Sequence, residues 1–177
     1  MKKITLLIVI STSILITSCS SEQQKMQTTI ETSEQQLKND SSALPDKQKA
    51  ADMIHLYVAY ANKFQDDSMS AEYLFRAADL TNGMHQPQQA IELYQRVQRY
   101  ATYAKTPIAL FLQGFVAETE LQDMQKAKGY YEKFLKQYPD HKLASDVQTT
   151  LDNLGKSPEE IIREFEAKAK SDSLVTN

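Results

Sequence analysis

One cysteine, three histidines and two adjacent acid pairs are the residues of this 177-residue chain that most readily suggest chemistry. A zinc site needs His, Cys or carboxylate ligands at short, regular spacing, and His55, His85 and His141 stand far apart in different segments. A Cys–His nucleophile needs a free thiol, and Cys19 sits at the end of an apolar leader where it is destined for another use. Gly83, Gly114, Gly129 and Gly155 never cluster into a phosphate-cradling loop. Asp66-Asp67 falls in a break between apolar runs, and Glu159-Glu160 falls at a helix start, where the dipole favours acids. Carboxylates that cleave glycosides meet only in the fold, and no motif marks such a pair here. The expectation is a protein that is not an enzyme, with no catalytic residue, no metal and no cofactor.

Position gives Cys19 its meaning. The chain opens Met1-Lys2-Lys3, continues through an apolar stretch from Ile4 to Ile10, and reaches Leu15-Ile16-Thr17-Ser18-Cys19. A positive start, a short apolar region and small residues before a cut are the parts of a secretory signal peptide. A membrane-spanning helix needs about 20 mostly apolar residues, and Ser11, Thr12, Ser13, Thr17 and Ser18 interrupt this one. Ile16-Thr17-Ser18-Cys19 resembles the lipobox of bacterial lipoproteins, which implies cleavage after residue 18 and lipid attachment at Cys19. Ser20 follows, where an aspartate would resemble an inner-membrane retention signal, so the outer membrane, facing the periplasm, is the expected address.

Losing Lys2 and Lys3 with the leader leaves 18 of the 20 basic residues against 23 acidic ones. A mildly acidic chain without a basic block argues against nucleic acid, whose phosphates need clustered Lys and Arg. Membrane attachment would come from acyl chains, at about 0.8 kcal/mol per buried methylene. With one cysteine no intramolecular disulfide can form, so the domain must rest on its apolar core.

Four segments follow: 1–18 as signal peptide, 19–44 as lipidated cysteine and linker, 45–155 as a helical domain, and 156–177 as a capping helix with a polar tail. Residues 20–44 are rich in Ser, Thr, Gln and Glu, without an aromatic residue or valine. Such a segment buries too little to offset its ordering entropy, which predicts a flexible tether of roughly 25–30 Å. Met26, Ile30 and Leu37 could form only a thin helical stripe.

From Pro45 apolar residues recur at helical spacing. Helices are predicted at about 47–65, 70–82, 87–103, 106–121, 124–137 and 141–154, with a last one opened by Ser157-Pro158-Glu159-Glu160. That tetrapeptide has Ser at the N-cap, Pro at N1 and Glu at N3, the pattern of a capping box. Asn82-Gly83 and Gly155 read as helix stops. The fold class is all-α, with about seven helices in antiparallel pairs.

The pairs are alike. Leu74-Phe75-x-x-Ala78 matches Leu110-Phe111-x-x-Gly114 at an offset of 36, and Ala90-x-x-x-Tyr94 matches Ala127-x-x-x-Tyr131 at an offset of 37. Such periodicity marks stacked helical hairpins. These residues, with the turn from Leu121 to Ala127 and with Phe134 and Pro139, resemble the tetratricopeptide repeat over about residues 47–155. The period is two or three residues longer than that family's usual one. The stretch from Tyr131 to His141 is also similar to repeats of lipoproteins and periplasmic proteins linked to outer-membrane assembly and the Tol–Pal system.

The resemblance implies an α-solenoid whose helix at 47–65 is the second of a partial repeat. It implies a concave face, lined by the first helix of each pair, that receives a peptide or partner helix. Matching positions place Phe75, Asp79, Phe111, Phe115 and Glu118 in that partner-binding groove. The competing reading has these phenylalanines packed on the capping helices. The expected function is a lipid-anchored scaffold or assembly accessory contacting other envelope proteins or peptides. The alternative is a small-ligand or glycan-binding lipoprotein of an uptake system, which would need a deep pocket with converging polar groups.

Overall fold

A computed structural model of the chain describes residues 21–39 and 46–175, apart from the side chains at 168 and 171–175. The leader, Cys19, Ser20 and the 40–44 end of the expected linker lie outside those residues. Among the described residues there are eight α-helices and no strand. They are α1 (21–38), α2 (Lys47–Lys63), α3 (Ser68–Gly83), α4 (Pro87–Val97), α5 (Thr106–Thr119), α6 (Met124–Gln137), α7 (Ala144–Asp152) and α8 (Pro158–Val175). The described residues divide into two compact units, those up to Thr106 and those from Pro107 onward.

Short polar side chains start α2 and α3. The Asp46 carboxylate accepts from Gln48 N at 2.9 Å and opens α2, and Asp67 accepts from Met69 N at 3.1 Å and opens α3. Such caps satisfy amides that a helix start leaves unpaired. Pro87 begins α4, where a missing N–H costs nothing. The α2 and α3 helices then pack through tyrosines: Tyr73 stacks on Tyr57 at 5.4 Å and meets Tyr60 edge-on at 4.8 Å.

Residues 21–38 correct the tether expectation. They form α1, whose Ile30 is 1 % exposed. Polar side chains do the rest of the docking. Gln23 and Gln27 donate to the Tyr60 hydroxyl at 3.1 and 2.8 Å, and the Tyr57 hydroxyl donates to Glu34 at 2.7 Å. Arg76 of α3 donates to the same Glu34 carboxylate at 2.6 Å, and Lys63 pairs with Glu22. The low apolar content pointed to a tether because the apolar stripe is thin, but tyrosine hydroxyls provide the partners that the amides and carboxylates of this segment need. α1 thus supplies the first helix of the hairpin that the sequence reading left partial.

α3 ends at Gly83, as the Asn82-Gly83 stop predicts, and the left-handed residue of the following turn is His85, at φ 57°. α4 ends at Val97 instead of near 103. The connection 98–105 is built from successive three-residue turns, with Tyr100 N, Tyr103 N and Thr106 N bonded to Val97 O, Tyr100 O and Tyr103 O. The Thr106 hydroxyl ties it by donating to Tyr100 O at 2.7 Å.

In the second unit Asp123 opens α6 by accepting from Lys126 N at 2.9 Å, and α5 and α6 form a hairpin around Tyr131 and Phe134, both fully buried. The capping box forms as expected: Ser157 N donates to Glu160 at 2.8 Å, and Glu160 N donates to the Ser157 hydroxyl at 3.2 Å. Gly155, at φ 78°, closes the turn before it. The helix it opens departs from expectation. Side chains 158–167 of α8 are all exposed, with Phe165 at 76 %, so the described part of α8 covers little of a core it was expected to cap.

Candidate functional site

The five groove residues divide between the units, Phe75 and Asp79 in the first, Phe111, Phe115 and Glu118 in the second. Four of them, all but Phe115, are engaged by the second helix of their own hairpin. The Phe75 ring meets Tyr94 at 5.7 Å, and the Tyr94 hydroxyl donates to Asp79 at 2.6 Å. The Phe111 ring meets Tyr131 at 5.9 Å, and the Tyr131 hydroxyl donates to Glu118 at 2.6 Å. Phenylalanine, tyrosine and carboxylate therefore recur as one packing unit. With Tyr57 and Glu34 the hydroxyl–carboxylate bond occurs in three successive hairpins. Burial first, and then the bonded carboxylate, pushes the Tyr94 and Tyr131 phenols well above their ordinary value. These tyrosines stay protonated donors.

The turns repeat too. Gln122, at φ 54°, stands in the α5–α6 turn where His85 stands in the α3–α4 turn, again 37 positions apart. At the helix crossing, a Cβ added to Gly114 would lie 2.5 Å from Tyr131 Cε1. Glycine there allows a backbone-to-ring approach that any side chain would block.

Phe75 is buried beneath Tyr94, Tyr103 and the Lys105 ammonium, which lies 5.0 Å from its ring centre. Neither phenylalanine needs the capping helices to account for its packing. Phe115 is different: it is 43 % exposed, and its ring lies tilted against that of Phe111, one turn earlier on α5, at 6.2 Å. Beyond it the second unit has an open cleft of about 560 Å³, lined by Glu118, Met124, Asn153, Lys156 and Ile161 among others. Met124 and Ile161 are exposed apolar side chains. Lys156 donates to Glu164 at 2.6 Å.

Of the expected groove residues Glu118 lines this cleft, together with Met124 and Ile161, which the repeat pattern does not place in a groove. Met124 follows the Asp123 cap, a position that signals only a helix start. Ile161 stands in the first turn of α8, just after the capping box, which likewise signals only a helix start. Among the described residues no group of three His, Cys, Asp or Glu could hold a metal ion, and no helix is long and apolar enough to cross a membrane.

A family model described as the tetratricopeptide repeat matches residues 108–141. A comparison with curated proteins finds no match. The matched segment runs from the first turn of α5 through α6 to just beyond Pro139, and it includes the Phe111–Tyr131–Glu118 unit and the Gly114 crossing. The all-helical chain therefore contains a tetratricopeptide repeat at residues 108–141.

Proposed function

We propose that this chain is a lipid-anchored scaffold of a bacterial envelope that holds partner polypeptides on its repeats, without a chemical step. The observation that carries the reading is the tetratricopeptide repeat at 108–141, a module that generally mediates protein contact. Beside it lies an open cleft edged by exposed Met124 and Ile161, with Phe115 exposed on α5. Apolar anchors next to a carboxylate and an amine suit a partner helix or extended segment. The cleft is large enough for a small molecule, but its openness and mixed polar rim favour a polypeptide over an enclosed ligand. Anchoring rests on the leader and the position of Cys19, and the outer membrane on Ser20.

Photo-crosslinking in intact cells from a probe placed at Phe115 or Met124 tests the scaffold reading. Discrete polypeptide adducts are expected. Adducts of small metabolites alone, with no polypeptide, would return the ligand-binding reading.

A further inference from the structure

In the first unit the last turn of α2, the middle of α3 and the end of α4 leave a cleft of about 180 Å³. Its floor is apolar, made of buried Ala61 and Leu74. Arg96 reaches it from the last turn of α4 and Arg99 from the turn that follows, with Asn62, Gln65 and Tyr100 around them. The Arg96 guanidinium donates to a neutral oxygen, Asn62 Oδ1, at 2.6 Å. Three other cations of this unit meet acids. Arg76 bonds Glu34 at 2.6 Å and Glu72 at 2.7 Å, Lys105 meets Glu72 at 3.1 Å, and Lys63 meets Glu22. Among the described residues neither Arg96 nor Arg99 takes part in such a pair.

The half-buried Arg96 guanidinium and the exposed Arg99 guanidinium line one cleft, where their like charges oppose each other, and both forks suit planar oxyanions. Burial, and then the charge of Arg99, draw Arg96 below its ordinary value, with Tyr100 opposing the shift. Asp66 also lines the cleft, so the lining carries one net positive charge. A monoanion balances that charge; a doubly charged phosphate exceeds it. We infer that this cleft receives a single carboxylate group of a partner polypeptide, either an acidic side chain or a chain terminus. Arg96 and Arg99 supply the charged donors, and the Asn62 and Gln65 amides supply neutral ones. The inference deepens the scaffold reading by naming the partner's chemistry. It concerns the first unit and needs no lipid, so it can fail while adducts at Phe115 still form, and the reverse.

Calorimetric titration of the detergent-solubilised full chain at low salt tests it with three synthetic peptides. One is capped at both ends with internal glutamates, one is neutral with a free C-terminal carboxylate, and one is the capped glutamine analogue of the first. Binding of either carboxylate peptide is expected, with the glutamine analogue weaker by about tenfold or more. The peptide that binds identifies the source of the group. Arg96→Gln and Arg99→Gln should each weaken binding by about tenfold, and added salt should weaken it further. Arg99 is exposed, so its variant decides the matter if Arg96→Gln unfolds. No binding by either carboxylate peptide, equal binding of the glutamine analogue, or unchanged affinity in the Arg99 variant would overturn the inference.

Discussion

Tyr131 holds the tetratricopeptide repeat together from three sides. Its hydroxyl donates to Glu118, its ring lies against Phe111, and its Cε1 edge fills the space over Gly114. Gly114→Ala therefore forces a methyl group into a ring that is fully buried and cannot swing aside. Overpacking of this kind costs about 1–3 kcal/mol, a loss that urea unfolding would measure. Tyr131→Phe keeps the ring and removes only the donor. Glu118 is partly exposed and can turn to water, so that loss should be nearer 1 kcal/mol. Equal stability of the glycine and alanine forms would show that the crossing is looser than described.

Glu72 makes a second residue-level prediction. Burial alone would raise its carboxyl, but bonds from Tyr103, Arg76 and Lys105 outweigh that and hold it at about 2. A value depressed in the fold means that stability is fully present above the ordinary 4.5 and is lost as pH falls from there towards 2. The effect is on the order of 2–3 kcal/mol. Melting followed at pH 6, 4 and 2.5 should show the fall, and Glu72→Gln should be destabilised at pH 6 and vary less with pH.

At the scale of elements, α1 separates what the sequence disclosed from what it hid. The helices from α2 to α7 announce themselves by apolar periodicity and by punctuation at Asp46, Asp67, Pro87, Asp123 and Pro139, and α6 was bounded correctly at both ends. The capping box at Ser157 was legible because its two bonds join near neighbours. α1 was not, because Gln23, Gln27 and Glu34 find their partners on α2 and α3, at least twenty positions away. The same reason veiled the Phe75 and Phe111 surroundings: the repeat pattern located them, and only the fold could reveal that a tyrosine of the next helix occupies each. Hydrogen exchange provides the test for α1. Protection of the amides from 25 to 38 is expected, since the first amides of a helix lack a carbonyl partner, and Ile30→Ala should reduce it while α3 and α4 stay protected. Exchange at free-peptide rates in the unaltered chain would restore the tether.

For the whole molecule, the proposed anchor predicts where the protein is found. Cys19→Ala should move it from the membrane fraction to the soluble one on cell fractionation. Tight retention of the variant would contradict lipid attachment there. With an acyl group on Cys19, the docked start of α1 at residue 21 sets a severe mechanical limit. Only Ser20 intervenes, a spacer reaching on the order of 7 Å. Such a protein would be planted on its bilayer like a peg, unable to sweep outward on a leash, and its choice of company would narrow to molecules lying against the same sheet of lipid.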